Sequence, residues 1–191
     1  MKTLEIIGYK RANLGKKASN DLRLDGYAPC VLYGGKDQVH FYTPMILFKE
    51  LLYTPNVYQV ALNIEGEQYK AVLQDAQFHP VNEVILHVDF LELQDDKPVK
   101  MEVPIQFTGV APGVQKGGKL VSKLRKLAIK ALPNDIPDYI TVDISNLDLG
   151  KSIKTGEIKP ENYTVLSNPN TPIATVEIPR ALRGKGEEGG K

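Results

Sequence analysis

The residues best suited to chemistry lie in one short stretch, FHPVNEVILHVDFLEL, which spans residues 78–93. His87 and Asp89 are two residues apart in a strand-like pattern, so their side chains point to the same face. Val88 and Phe90 alternate with them and point to the predicted core. Such a pair could act as an acid/base couple, as metal ligands, or as a hydrogen-bonding pair on a surface.

A metal site would need three or four convergent ligands. His40 lies in another strand-like segment and His79 precedes a proline at a turn, so the three histidines could in principle meet. The chain has no HExxH motif and no carboxylate-rich loop beside them. Cys30 sits in the apolar run CVLYG and is expected to be a buried structural thiol. The sequence therefore predicts no catalytic residue, no metal site and no cofactor, and a metal-dependent enzyme remains the alternative hypothesis.

A histidine and an aspartate on one face also suit RNA. Histidine can donate to phosphate or stack on a base, while a carboxylate accepts from guanine N–H groups or a ribose 2′-hydroxyl. Phosphates would repel Asp89. This aspartate is therefore useful on an RNA surface only if it meets a base edge or a sugar, or if it positions an arginine such as Arg23.

The charges of the chain are balanced overall but clustered locally. The formal net charge is +1, from 24 Lys and Arg against 23 Asp and Glu. Residues 9–23 carry five basic residues and one acid, Asp21, and residues 115–132 carry six basic residues and no acid. These two segments suggest polyanion contacts confined to small surfaces, although solvated loops also collect lysines.

The composition, 42% hydrophobic and 25% charged, is typical of a soluble globular protein. A single cysteine excludes a disulfide scaffold and favours a cytoplasmic location. No run of about 18 apolar residues predicts a membrane segment, and the amino terminus does not resemble a signal peptide. We therefore expect no membrane partner, and no motif of the chain indicates a small-molecule substrate.

The first half of the chain reads as short strands separated by turns. Glu65-Gly66 is a hairpin turn signal. The predicted helices are Ala18–Asp25 and Met45–Tyr53. The predicted strands are Leu4–Tyr9, Ala28–Tyr33, Gln38–Tyr42, Val57–Ile64, Gln68–Asp75 and Val84–Leu91. Six strands and two short helices favour a small closed β-barrel, so the expected fold class is mainly β.

The polar segment 94–98 predicts a domain boundary. Beyond it, Val99–Thr108 alternates as a half-buried strand does, residues 109–118 predict a loop, and Ile173–Ile178 predicts the last strand. Leu120–Leu132 suits either a helix or strands. We expect a barrel domain at 1–93, a mostly β domain at 94–180 and a disordered tail at 181–191.

The first half contains a series of motifs in a definite order and spacing: Arg11; Gly15-Lys16-x-Ala18-Ser19-x-x-Leu22-Arg23; Tyr27-x-Pro29-x-Val31-x-Tyr33-Gly34; Gln74-Asp75-x-Gln77-x-His79-Pro80; and His87-x-Asp89-Phe90. In this order and spacing they resemble the bacterial large-subunit ribosomal protein number twenty-five, the 5S rRNA-binding family that includes the general stress protein Ctc. The second half resembles the long form of the family through Val103-Pro104-x-x-Phe107-x-Gly109-x-Ala111-Pro112-Gly113, Gly117-Gly118, Leu132-Pro133-x-x-Ile136-Pro137 and Val142-Asp143-x-Ser145-x-Leu147.

The resemblance implies a non-enzymatic structural protein of the large ribosomal subunit. Its six-stranded barrel would bind the loop E region of 5S rRNA in the central protuberance, from the minor-groove side. The implied RNA-binding residues are Arg11, Lys16, Ser19, Asn20, Arg23, Tyr33, Gln74, His87 and Asp89. The resemblance also favours strands over a helix at Leu120–Leu132.

One position departs from the family pattern. Many members have two basic residues where this chain has Asn20 and Asp21. Asn20 can still hydrogen-bond, whereas Asp21 either faces solvent or makes the contact surface weaker or shifted. A further alternative is a stress-linked adaptor whose basic patch at 116–130 binds another polyanion or a protein.

Overall fold

The computed structural model describes residues 1–160 and 162–179. The chain forms two compact units, one of residues 1–99 with 132–138 and one of 100–131 with the chain from 139 onward. The first unit continues slightly past the polar segment in which the sequence predicts a boundary, and the predicted domain limits stay a prediction. The predicted tail at 181–191 lies outside the described residues. Within the described ranges, no helix is long and apolar enough to span a membrane.

The first unit is built on a closed barrel of six strands in the order β1-β3-β2-β6-β5-β4. The β1–β4 and β2–β6 pairs are parallel and the other neighbours are antiparallel. Glu65 and Gly66 connect β4 to β5 with φ angles of 52° and 95°, as a tight hairpin turn requires. The strands are β1 (Lys2–Lys10), β2 (Tyr27–Tyr33), β3 (Val39–Pro44), β4 (Tyr58–Ile64), β5 (Glu67–Phe78) and β6 (Ile85–Glu92). The prediction of a six-stranded barrel is confirmed.

Period-two alternation places the large apolar side chains inside the barrel. Val88 and Phe90 of β6 are fully buried, as the pattern predicted. The ring of Phe90 lies 5.9 Å from Phe41 and 6.2 Å from Phe48, measured between ring centroids. Because Phe90 is fixed in this aromatic core, the intervening residues of β6 must face outward.

Two helical segments accompany the barrel. Helix α1 (Lys16–Leu24) begins two residues before the predicted helix, and Gly15 is its N-cap. A 3₁₀ turn (Met45–Phe48) leads directly into α2 (Lys49–Tyr53), so the second prediction is confirmed with a tighter first turn. Helix α1 packs against β2 along one side only. Its half-buried residues are Ala18, Ser19, Leu22 and Arg23, and its exposed residues are Lys16, Lys17, Asn20, Asp21 and Leu24.

The second unit contains a four-stranded sheet in the order β10-β7-β9-β12 and a three-stranded sheet in the order β11-β13-β8. The strands are β7 (Val99–Thr108), β8 (Lys119–Ser122), β9 (Lys126–Ala131), β10 (Ile140–Asp143), β11 (Ser152–Lys154), β12 (Tyr163–Val165) and β13 (Pro172–Glu177). The ambiguous segment at 120–132 thus forms strands and not a helix. The predicted loop at 109–118 contains one helical turn, α3 (Pro112–Gln115), which the sequence pattern did not predict.

Candidate RNA-binding surface

His87 and Asp89 project from the outer face of β6 and form a hydrogen-bonded pair. The His87 Nδ1 and Asp89 Oδ1 atoms are 2.5 Å apart, and each side chain is 31% exposed. The same-face prediction is therefore confirmed. Asp75 and Gln77 of β5 lie opposite Asp89 and His87 in the strand register, and both are exposed. Of the open alternatives, the geometry matches the surface hydrogen-bonding pair.

Two irregularities in the β5–β6 pairing shape this face. Between the Leu73–Phe90 and Asp75–Asp89 pairs, Gln74 is an extra residue on β5, and it is exposed. Between the Gln77–His87 and Phe78–Ile85 pairs, Leu86 is the extra residue on β6. A β-bulge bends its strand and redirects the side chain beside it. Gln74 is therefore presented outward by a break in the ladder and not by simple alternation.

The bulge on β6 also explains where Arg23 points. The Arg23 Nε donates to the backbone oxygen of Leu86 at 3.1 Å, and this bond joins α1 to the barrel. Of the alternatives left open for Asp89, the structure does not show the one in which it positions Arg23, because Asp89 pairs with His87 and Arg23 pairs with the Leu86 carbonyl. A carbonyl without a partner in the β5 register is an available acceptor for a half-buried guanidinium.

Arg11 and Ser19 are engaged within the protein. The Arg11 Nη2 donates to Ser19 Oγ at 2.8 Å and to the Asn13 oxygen at 3.2 Å, while Ser19 Oγ donates to the Gly15 oxygen. The Arg11 backbone N–H donates to the His40 oxygen at 3.0 Å. Among the described residues, the buried Arg11 Nε finds no hydrogen-bond partner. These contacts tie the end of β1 to the first turns of α1.

The outward face of α1 carries the remaining predicted residues of this segment. Lys16 and Asn20 are exposed, together with Lys17, which is not among the predicted RNA-binding residues. Asp21 is also exposed, so it faces solvent and leaves the helix with a mixed outer surface. Residues four apart lie on one side of a helix, so Asp21 sits beside Lys17 and offsets part of its charge.

Tyr33 extends the surface at the end of β2. Partial burial raises the pKa of its phenol above the ordinary value of 10.0, and the carboxylates of Asp89 and Asp75 raise that pKa further. The phenol therefore remains a hydrogen-bond donor at neutral pH. Behind it, burial raises the pKa of the Cys30 thiol well above its usual range, and the side chain lies wholly inside the barrel. Cys30 is structural, as predicted.

The other histidines do not join this surface as ligands. The His79 Nδ1 accepts from the backbone N–H groups of Val81 and Asn82 and organises the turn between β5 and β6. Nowhere in residues 1–160 and 162–179 do three or more His, Cys, Asp or Glu side chains form a group that could hold a metal ion. Asp75 and Gln77 belong to one of the family motifs but are not among the predicted RNA-binding residues. If the strands before and after the turn at His79 are paired as an antiparallel hairpin, Asp75 and Gln77 fall opposite Asp89 and His87.

Two family models match the chain in succession. Residues 6–90 match the ribosomal L25p family, and residues 98–180 match the C-terminal domain of ribosomal protein TL5. A protein of Amoebophilus asiaticus named large ribosomal subunit protein bL25 is 60% identical over 192 residues, covering 100% of this chain and 98% of the relative. A protein of the same name from Cytophaga hutchinsonii is 58% identical, covering 96% of this chain and 95% of the relative.

A closed barrel with an outward polar face, together with these matches, defines a ribosomal protein. The chain belongs to the ribosomal L25p family. The resemblance seen in the sequence motifs is confirmed over nearly the whole chain. Membership in this family of structural proteins also agrees with the prediction that the chain is not an enzyme.

Proposed function

We propose that this chain, as a component of the large ribosomal subunit, binds 5S rRNA through α1 and the outer face of β2, β5 and β6. The target would be the loop E region in the central protuberance, and the location would be cytoplasmic. Supporting this, the relatives from Amoebophilus asiaticus and Cytophaga hutchinsonii are both named large ribosomal subunit proteins.

The observation that carries the proposal is the continuity of one polar surface on the barrel. Arg23 joins α1 to β6 beside His87, and β6 pairs with β2 on one side and with β5 on the other, so Asp89 has Val31 and Asp75 as its neighbours in the sheet. The outer face of the helix adds lysines. An RNA helix offers phosphates around a wide, shallow minor groove lined by 2′-hydroxyls. Lysines and a flat hydrogen-bonding face match those two features.

The acids on this surface limit what it can bind. Asp89 accepts from His87 through one oxygen, so its other oxygen is available to a ribose hydroxyl or a base N–H. Asp75 lies opposite on β5, so two carboxylates occupy the centre of the face. They repel phosphates there, and the phosphate contacts belong to α1 at the side. This division favours RNA that presents a groove to the barrel and its backbone to the helix.

Matched substitutions test the surface against an isolated 5S rRNA fragment. Gln74→Ala and Lys16→Ala should each weaken binding severalfold, because each removes a polar contact on the proposed face. Gln68→Ala and Lys49→Ala are controls of the same residue types, exposed on β5 and α2, and should bind as the native chain does. With about five phosphates contacted, log K should fall against log[salt] with a slope of very roughly −4. Equal effects of the test and control variants would refute the proposed surface.

A further inference from the structure

The second basic segment of the chain divides into a neutralised part and a free part. In the neutralised part, Lys116 Nζ lies 2.9 Å from Asp148 and Lys123 Nζ lies 3.0 Å from Glu177. Lys119 has no ion pair within the described residues, but it sits directly opposite Glu177 in the β8–β13 register. Lys116 and Lys123 therefore serve contacts inside the second unit, and Lys119 lies beside a carboxylate that offsets part of its charge.

The free part begins where β9 begins. Arg125, Lys126 and Lys130 are all exposed, and within the described residues none of their side chains has a hydrogen bond or ion pair. The backbone oxygen of Arg125 accepts from Ile105 of β7 at 3.0 Å, which fixes the start of the strand. Lys126 and Lys130, unpaired among the described residues, thus lie on the strand itself, and Arg125 immediately precedes it.

Strand alternation turns these cations into a surface. Leu127 and Ile129 of β9 are buried, so Lys126 and Lys130 point to the opposite, outward face. Four residues of strand separate the two lysines by roughly 13 Å. The edge strand β12 places the exposed Thr164 opposite Lys130.

Acidic side chains of this sheet stand on strands other than β9 and β12. The exposed Glu102 lies on β7, the strand next to β9. Asp143, at the end of β10, accepts hydrogen bonds from the side chain and the backbone N–H of Ser145. Positive charge is therefore concentrated on the β9–β12 half of the sheet, which suits a polyanion better than a mixed protein surface.

We propose that Arg125, Lys126, Lys130 and Thr164 form a second RNA-binding surface that holds the phosphate backbone of ribosomal RNA outside the 5S species. Ala128 lies between the two lysines, and its small side chain leaves room for a nucleic-acid backbone to approach the strand. Threonine and lysine donors position a backbone without reading its sequence. A chain with two such surfaces would bind the large subunit more tightly than a chain with either surface alone.

The test uses the full chain and two triple variants with the same loss of charge. One is Arg125→Ala/Lys126→Ala/Lys130→Ala, and the control is Lys116→Ala/Lys119→Ala/Lys123→Ala, which removes the neutralised cations. The probes are large-subunit rRNA freed of the 5S species and, in parallel, isolated 5S rRNA. Hydrogen exchange confirms that both variants remain folded.

We expect the first variant to bind the 5S-free rRNA at least about tenfold more weakly. The slope of log K against log[salt] should become less steep by about 2, because each lost phosphate contact contributes roughly 0.7–0.9. The control should change much less, and both variants should bind 5S rRNA as the native chain does. An unchanged affinity and slope, or an equal loss in the control, would overturn the proposal. The proposal would also be overturned if the first variant lost binding to polyglutamate but kept its binding to rRNA. The surface would then serve an acidic protein. A failure of 5S binding in the native chain would count against the proposed function and not against this surface.

Discussion

The barrel and the second unit use their polar side chains in different ways. On the barrel, the residues of the candidate surface hold one another: His87 bonds Asp89, Arg23 bonds the Leu86 carbonyl, and Arg11 bonds Ser19. On the β9 face of the second unit, the described cations have no such partners. Internal bonds fix the direction of each group, as recognition of shape requires, whereas free cations provide attraction without direction.

The architecture of each unit matches this difference. The barrel is a closed sheet without free edges, and its register places residues from β2, β5 and β6 side by side. The second unit has two open sheets with short strands at their edges. A rigid closed sheet can hold a precise hydrogen-bonding pattern, while a small open sheet needs only one well-fixed strand to present charge.

The largest expected effect tests whether the two units are independent in stability. Phe90→Ala removes the centre of the aromatic core and should destabilise the barrel by about 3–5 kcal/mol. Cys30 is the single cysteine and is fully buried in the barrel, so its reaction with a thiol reagent reports opening of that unit alone. The reaction should accelerate by at least about a hundredfold.

Leu127→Ala is the matched change in the second unit, where Leu127 is fully buried on β9. It should destabilise that unit by about 2–5 kcal/mol and leave the Cys30 reaction rate unchanged. If Leu127→Ala accelerates the reaction as much as Phe90→Ala does, the units unfold together and the contrast between them fails.

A smaller effect is expected where α1 joins the barrel. Arg23→Ala removes the bond to the Leu86 carbonyl, a charge-assisted contact worth about 1.5–3 kcal/mol. The amides of α1 should lose protection from hydrogen exchange, and 5S rRNA affinity should fall about tenfold. Lys17→Ala removes the same charge from the exposed side and should only reduce the salt slope, by about 1. Equal loss of protection in both variants would show that Arg23 acts only through its charge.

Ser19→Ala should have a still smaller effect. It removes the acceptor for Arg11 Nη2 and should cost about 1 kcal/mol in the attachment of α1. Binding to 5S rRNA should weaken a few fold, measured by fluorescence titration. Ser122→Ala in the second unit removes a comparable bond, from its hydroxyl to the Leu124 oxygen, and should leave 5S binding unchanged. Loss of 5S binding in Ser122→Ala would contradict the separation of the two surfaces.

The smallest expected effect is on how the folding stability of each unit changes with pH in the acidic range. Two hydrogen bonds lower the pKa of Glu67 below its ordinary value of 4.5. The bond from Tyr69 has the larger effect and the bond from Lys10 the smaller one. A hydrogen bond from Lys116 lowers the pKa of Asp148 below 3.8. Because the folded-state pKa is the lower one, each carboxylate stabilises its unit above the unfolded pKa, and this stability disappears as the pH falls through the folded pKa.

Glu67→Gln should therefore flatten the acid side of the stability profile of the barrel, and Asp148→Asn that of the second unit. Both carboxyls are exposed, so the changes should be small. Equilibrium unfolding followed between about pH 3 and 6 measures them. A variant that flattens the profile of the other unit would contradict the assignment of each pair to its own unit.

Much of the barrel could be predicted from residue patterns. Alternation around Val88 and Phe90 identified the core face of β6, and the opposite face then had to carry His87 and Asp89. Turn residues such as Glu65-Gly66 marked the hairpin. The motif order from Arg11 to Asp89 identified the family and the fold together. These are local properties, which neighbouring residues determine among themselves.

The contacts that complete the candidate surface could not be predicted in the same way. Arg23 and the Leu86 carbonyl are far apart in the sequence, and they meet only because a bulge shifts the β6 register. The exposure of Gln74 depends on the matching bulge in β5. Strand periodicity cannot reveal an extra residue in a ladder, because the bulge is a property of two paired strands.

The sequence by itself determined the barrel, its inward and outward faces, the family, and the presence of two basic segments. Only the tertiary structure decided which charged groups are free. It engaged Arg11 and Ser19 with each other, paired Lys116 with Asp148, and left Lys126 and Lys130 without partners among the described residues. The physical reason is that residue type fixes a side chain's charge and donors, whereas folding decides which distant groups come near enough to satisfy them.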